Sequence, residues 1–399
     1  MKKVLKIIVI YLLFINNSFA DNHSIEPYRL NVFTKWLFDN GHHEYLEINK
    51  TFDKQSAVCE AEPKYSNLWY YNKCDERQYK SNIKIKNNLK IKIFEGWIPE
   101  NKIDEKKKYN HETFLYEFFK LNIFPFVRKK HTAPDKYEIT PSSNPYKFKL
   151  NLKKDKYIDK QLNKKGLISY LRFEDGQITI DKISPNDRFG KFINNKTKLR
   201  SMSVGKTMVS YVTGHAICEG YIDSINSKLN DWPLIENTLY YDQKLIDILN
   251  MNSGDQEYIV GSELTKIVNK NLIDEEFRGL DDYVIDFKQY ISLFKNTKKS
   301  KPYFNYSSMN PTLALNYVLF KTGDDFEKIL EKTFSKKAKI KDSVIFWKVK
   351  NSSKERGNAN IMFYATRYDY LRIAKAMLDD WQNDTCVGKY LKEIHKRRV

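Results

Sequence analysis

Residues 203–219 place the strongest constraint on what this chain can fold into. The side chains of Val204, Met208, Val209, Tyr211, Val212, Ala216, Ile217 and Cys218 are apolar almost all round a helical projection. Such a helix is stable in water only when neighbours cover every side of it. Gly220 follows at a position where helices commonly stop. The chain must therefore supply enough surrounding structure to bury this segment. Its 399 residues, 41% of them hydrophobic, are enough for one large domain with its own core and a smaller one beside it.

The rest of that domain can be read from periodicity. Residues 167–173 and 177–182 alternate as strands on either side of Glu174-Asp175-Gly176, and Asp-Gly between two such runs is the strongest short-range hairpin signal. Helical patterns follow at 243–251, 311–321, 325–334 and 367–380. Strand signal followed mainly by helices implies an α/β (α+β) class, with a sheet and a helical cluster, over residues 156–399. No internal repeat is present.

The N-terminal part has a different character. Lys2, Lys3 and Lys6 precede an apolar run over 7–15, and Ser18-Phe19-Ala20 suits signal peptidase. Residues 1–20 are thus expected to be a cleaved secretory signal with Asp21 as the mature start, and an uncleaved anchor is the alternative. The expected location is exported, either periplasmic or secreted. Residues 21–155 form a smaller region of unassigned role, with strand signal at 83–94, a helix at 110–121, and a linker or long loop at 132–146 marked by Pro134, Pro141 and Pro145. Cys59 and Cys74 lie close enough in sequence to pair in an oxidising compartment. Cys218 falls on the buried helix and is read as a small core residue, while Cys386 is left open.

Charge excludes less than it suggests. The formal excess is +19, and it is +16 once the three lysines of the leader are discounted. The lysines are scattered among Asn, Ile and Glu, with no arginine-rich or Gly-aromatic module, so nucleic acid is not expected as a partner. An anionic envelope polymer or membrane remains a candidate partner. No C-x-x-C pair occurs, His42-His43 reads as surface, and neither a metal nor a cofactor is expected.

The candidate chemistry sits at the start of the buried helix. A serine hydroxyl needs a neighbouring base to attack a carbonyl, and an amine can serve when it is neutral. Ser203 and Lys206 are three residues apart, which puts them on one helical face. The unpaired N–H groups of a helix N-terminus also favour a developing oxyanion. The spacing alone is weak, because Ser81 with Lys84 and Ser292 with Lys295 repeat it elsewhere in a lysine-rich chain. An ordinary N-cap serine beside a surface lysine is the competing reading.

The residues around the pair add more. Leu199-Arg200-Ser201-Met202-Ser203-Val204-Gly205-Lys206-Thr207 resembles the nucleophile motif of the β-lactamase-related serine hydrolases. That family includes class C β-lactamases, D-alanyl-D-alanine carboxypeptidases, esterases and 6-aminohexanoate-oligomer hydrolases. Cys218-Glu219-Gly220-Tyr221-Ile222, then Leu229, Asp231, Trp232 and Pro233, then residues 248–254 are similar to the continuation, and the 167–182 hairpin is similar to the strands preceding it. Phe304-Asn305-Tyr306-Ser307-Ser308 resembles the family's second motif. The resemblance implies a β-lactamase/transpeptidase-like sheet with a helical cluster. It also implies an acyl-enzyme route with Ser203 as nucleophile, Lys206 as base, Tyr306 in the proton shuttle, and Ser308 contacting substrate where many relatives have asparagine.

Two look-alikes are set aside. Lys321-Thr322-Gly323 spells a third family motif but ends a helix, and Gly205-Lys206-Thr207 spells the end of a phosphate loop but has Arg200 where that motif needs glycine. No G-x-S-x-G occurs, and none of the seven histidines is tied by sequence to the serine. No third-motif triplet follows 367–380 before Val399, so the closing strands of the sheet are expected to be absent. The functional expectation is a serine hydrolase acting on a small or peptide-like amide or ester in the cell envelope, with a non-catalytic envelope-polymer binding protein as the alternative.

Overall fold

The computed structural model describes the strands β1 (Leu46–Ile48) and β2 (Ile83–Ile85), and residues 135–398 apart from 165–166, 187–189, 260–286, 293 and 349–358. The chain divides into two compact units, Met1–Ala133 and Pro134–Val399. In the first unit β1 and β2 pair antiparallel, and Ile83–Ile85 falls within the stretch that alternates in the sequence. The leader, the helix expected at 110–121, His42-His43, and the Cys59 and Cys74 pair lie outside the described residues.

The second unit is an α/β domain, as the order of sequence patterns implies. Its larger sheet has the order β3-β8-β9-β7, antiparallel throughout, with β3 Asp135–Ile139, β7 Lys198–Arg200, β8 Val344–Lys348 and β9 Ala359–Thr366. Residues 132–146 are therefore not simply a linker. Pro134 lies just before β3, and Pro141 and Pro145 lie after it, so these prolines bound an edge strand without interrupting its ladder. The boundary moves accordingly from 155 to 133, and residues 135–155 belong with the second unit.

A smaller sheet, β4-β6-β5, is built from β4 Lys149–Leu150, β5 Ser169–Glu174 and β6 Gln177–Ile183. β5 and β6 are the hairpin read from the sequence. Asp175 and Gly176 both have positive φ, 47° and 78°, which suits the tight turn that Asp-Gly favours. Arg367 fastens this sheet to the rest of the domain. It is 7% exposed, donates to Ser169 Oγ at 2.7 Å, Asn195 Oδ1 at 2.9 Å and the Lys182 carbonyl at 3.1 Å, and forms an ion pair with Asp181.

The helices are α1 Lys156–Lys164, α2 Val204–Cys218, α3 Leu245–Leu249, α4 Phe287–Ser292, α5 Met309–Thr322, α6 Phe326–Leu330, α7 Arg367–Gln382 and α8 Cys386–Lys396. α2 is the segment that is apolar all round, and it is enclosed as that pattern demands. Met208, Val209, Tyr211, Val212 and Ala216 share one core with Leu313, Ala314, Tyr317 and Val318 of α5 and with Ile361, Phe363 and Ala365 of β9. Alternate residues of β9, Met362 and Tyr364, join Ile345 and Trp347 of β8 in a second buried cluster on the opposite face. Asn316 of α5 locks that helix to the start of β9, with its amide accepting from the Ala359 N–H at 3.0 Å and donating to the Ala359 carbonyl at 2.9 Å. Gly323, with φ 57°, caps α5, and Lys321 forms an ion pair with Asp231 at 2.6 Å, so Lys321-Thr322-Gly323 is a helix ending.

Cys218 is more than a core residue. It is bonded to Cys386, which ties the end of α2 to the start of α8 across 168 residues. The pairing was hidden in the sequence because the two cysteines lie so far apart. Among the described residues beyond Gln382 the regular structure is helical, in α8. No described helix is long and apolar enough to cross a membrane.

One buried group makes the stability of this domain depend on pH. His215 is 5% exposed on α2, stacks edge-on against Tyr211 at 4.8 Å between ring centroids, and has no hydrogen bond to Nε2. Burial lowers its pKa from 6.5 to about 4, partly opposed by the carboxylate of Asp380. The unfolded chain then binds more protons than the folded one between those values, so the contribution of His215 to stability is present above pH 6.5 and is lost as the pH falls toward 4. The size is about 3 kcal/mol. Chemical denaturation across this window should give a stability that falls on acidification, and His215→Phe should flatten that part of the curve.

Candidate active site

The candidate nucleophile, Ser203, lies at the junction between β7 and α2. β7 pairs with β9 from Lys198↔Thr366 to Arg200↔Tyr364, and the ladder continues one residue further through a side chain. The Ser201 N–H donates to the Phe363 carbonyl at 2.8 Å, and Ser201 Oγ accepts from the Phe363 N–H at 3.2 Å. The backbone can therefore turn away from the sheet at Ser201 without leaving a buried donor unmet. Met202 takes up the bend with φ 47°, a left-handed conformation that is costly for a residue with a side chain and that is often found at functional sites. Ser203 comes next, exposed, at the N-cap of α2.

The first turn of α2 lies against β9 with almost no clearance. A Cβ on Gly205 would stand 2.3 Å from the Ile361 carbonyl oxygen and 2.7 Å from Ser201 Oγ. Only glycine lets the helix start there. Sequence reasoning missed this role, and the signal that could have found it is the helix-propensity cost, about 1 kcal/mol, of a glycine in the first turn of an otherwise apolar buried helix.

Ser203 does not behave as an ordinary cap. An N-cap serine normally accepts from an N–H two or three residues on, but Ser203 makes no side-chain capping bond. Its Oγ instead accepts from Lys206 Nζ at 3.4 Å. The N–H groups of Val204, Gly205 and Lys206 are taken by the carbonyls of Ser201, Met202 and Ser203. The Ser203 N–H has no such partner among the described residues. Lys206 is half-buried, and no described carboxylate forms an ion pair with it. Of the other two Ser-x-x-Lys matches, Ser81 lies outside the described residues, and Lys295 Nζ donates to the Glu236 carbonyl at 2.5 Å.

The structure brings Tyr306 to the same place. Lys206 Nζ lies over its ring, 4.7 Å from the centroid. The contact uses the ring face, which attracts a cation through its quadrupole. Tyr306 sits on an extended arm whose residues alternate, Asn305 and Ser307 buried and Phe304 and Tyr306 exposed. The arm is held by backbone bonds to the 251–254 turn: the Asn305 N–H donates to the Met251 carbonyl and the Gly254 N–H to the Tyr303 carbonyl, both at 2.9 Å.

Asp255 locks this arm, and sequence reasoning missed it although it directly follows the Ser253-Gly254 stretch. It is fully buried and accepts from Asn305 Nδ2 at 2.7 Å, Asn310 Nδ2 at 2.9 Å and Tyr240 Oη at 3.0 Å. Asn305 and Asn310 lie on either side of Tyr306, so one carboxylate fixes both ends of the segment that carries it. Burial raises the Asp255 pKa, opposed by these hydrogen bonds to its charged form. Ser308, the expected substrate contact, is the half-buried N-cap of α5, and its carbonyl accepts from Thr312 Oγ1 at 2.8 Å. It lies two residues from Tyr306, without a hydrogen bond to Ser203, Lys206 or Tyr306. No cluster of three or more metal-ligating side chains occurs among the described residues.

These contacts make Gly205 the most sensitive position that performs no chemistry. Gly205→Ala must push the first turn of α2 off β9, and should destabilise the domain by about 1–3 kcal/mol, the usual range for overpacking. The check is a denaturation curve of the variant beside Thr207→Ala, an exposed position on the same turn that should be nearly silent.

Comparison with protein-family models gives no match, and comparison with curated proteins gives none. Among solved structures, one recorded as "Putative 6-aminohexanoate-dimer hydrolase from Bacillus anthracis" aligns with 66% of this chain and 69% of its own, at 14% identity and a TM-score of 0.48. The functional reading therefore rests on the geometry of the site.

Proposed function

We propose that this chain is a serine hydrolase that cleaves an amide or ester through an acyl-enzyme, and that it works in the cell envelope. The observation that carries the reading is the state of Ser203 Oγ: it sits at a helix N-terminus, does no capping, and has Lys206 Nζ as its partner at 3.4 Å. A structural serine at that position would be spent on the helix.

The steps follow from the atoms present. Lys206 as the neutral amine accepts the Ser203 Oγ proton while Oγ bonds to the substrate carbonyl carbon, and the carbonyl π electrons move to oxygen. The Ser203 N–H and the positive end of α2 stabilise that oxyanion, supplying one of the two donors such a site ordinarily uses. Lys206 then carries the proton as an ammonium facing the ring of Tyr306, 4.7 Å from its centroid. Collapse of the intermediate expels the amine or alcohol, which takes the proton from Lys206 with the Tyr306 hydroxyl assisting. Water then attacks the acyl-enzyme by the same route in reverse. Ser308, at the start of α5 and two residues from Tyr306, is the proposed contact for the part of the substrate beyond the scissile bond.

The envelope location is supported by the leader-like N-terminus and by the Cys218–Cys386 disulfide, a bond that persists in oxidising compartments. The likeness of the Ser203 and Tyr306 segments to the β-lactamase-related serine hydrolases supports the chemistry.

A fluorophosphonate probe tests the assignment. The mature chain should be labelled and should hydrolyse a short-chain fluorogenic ester, and Ser203→Ala should lose both. Labelling that persists in Ser203→Ala would overturn the nucleophile, and a parent chain that neither labels nor turns over would favour the non-catalytic binding protein.

A further inference from the structure

A second surface of the same unit has no part in this chemistry. Residues 147–160, Lys-Phe-Lys-Leu-Asn-Leu-Lys-Lys-Asp-Lys-Tyr-Ile-Asp-Lys, hold six lysines and two aspartates. All six lysines, at 147, 149, 153, 154, 156 and 160, are exposed, and none forms an ion pair with a described carboxylate. The two aspartates are already engaged. Asp155 Oδ1 accepts from the N–H groups of Tyr157 and Ile158 at 3.0 and 3.1 Å, and Asp159 forms an ion pair with Lys182 at 2.9 Å.

Among these lysines stand three of the most exposed large apolar side chains in the described part of the protein: Leu150 at 57%, Leu152 at 58% and Tyr157 at 67%. Their outward orientation is fixed by the fold. β4 is an edge strand that pairs parallel with β6 at Lys149↔Gln177 and Leu150↔Ile178, and the Asn151 and Lys153 N–H groups extend the ladder to Ile178 and Thr179. With the backbone held in that register, Leu150 and Leu152 leave on the same side. α1 packs Ile158 and Leu162 onto Ile180, Leu167 and Tyr170, which leaves Tyr157 facing solvent. Edge strands ordinarily carry charge or proline to discourage contact, and two protruding leucines do the opposite.

We propose that residues 147–160 dock this protein on an anionic lipid bilayer, with Leu150, Leu152 and Tyr157 entering the headgroup layer and the lysines meeting lipid phosphates. Clustered lysines beside apolar side chains are the combination that binds such surfaces, since charge brings the protein in and burial of the apolar groups holds it. A soluble polyanion satisfies only the lysines and leaves the leucines in water. The bilayer is the occupant that uses both halves of the patch.

Vesicle flotation of the mature chain, from Asp21, tests this. Vesicles of phosphatidylcholine with phosphatidylglycerol should carry the protein at low salt, while phosphatidylcholine alone should not, and high salt should release it. The combined variant Lys153→Glu, Lys154→Glu, Lys156→Glu should bind at least about tenfold more weakly. Leu150→Ser with Leu152→Ser should also lose about tenfold on vesicles while binding soluble polyphosphate like the parent. All five positions are exposed, so circular dichroism and the unfolding midpoint should stay unchanged. Failure of the parent to float, parental binding by the lysine variant, or parental binding by the leucine variant would each overturn the proposal, the last pointing to a polyanion instead.

Discussion

Everything that places the candidate site depends on how closely the first turn of α2 approaches β9. Gly205 has no side chain because the Ile361 carbonyl occupies the space a Cβ would need, and Ser201 closes the same junction by accepting from the Phe363 N–H. Together these let a strand leave the sheet and become a helix within a few residues, with Met202 held in a left-handed bend. Ser203 is then the first residue free of the sheet and the last before the helix. The serine is exposed, with its Oγ beside Lys206, because the residues on either side of it have no conformational freedom.

A second constraint sets the other half of the site. Tyr306 is carried on an arm that would have no reason to be rigid but for Asp255, which collects Asn305, Asn310 and Tyr240 around one buried carboxylate. No described cation pairs with Asp255, so its charge is offset by neutral donors alone, and burial raises its pKa. An apolar residue there would relieve that burden but would leave several amide donors without partners, and the arm would lose its anchor. The domain thus accepts a locally unfavourable carboxylate, and the ring of Tyr306 is held over Lys206 in return.

What could be read from the sequence divides along physical lines. The burial of α2 was legible because an all-round apolar helix has only one stable environment, and the β5–β6 hairpin was legible because Asp-Gly permits the two positive φ values its turn needs. The strands β8 and β9 were not, since both are buried on two faces and read as continuous apolar runs without alternation. β3 was taken for loop because prolines flank it. The Cys218–Cys386 bond joins residues that nothing local relates, and Asp255 acts through partners up to 55 residues away. The Ser203, Lys206 and Tyr306 grouping was anticipated, but the contact with Tyr306 is made through its ring face, a distinction that depends on the arm's path and is invisible in residue order.

The central claim is that Ser203 forms a covalent acyl bond to its substrate. Intact-protein mass spectrometry after brief exposure to a panel of activated esters, β-lactams and short peptide amides tests it most directly, with peptide mapping of any adduct. The account predicts a transient mass increase equal to the acyl group, located on the peptide containing Ser203, and prolonged when Lys206 is replaced by methionine in a chain acylated by a reactive ester. Turnover of a substrate without any adduct, or an adduct mapping to another residue, would contradict it.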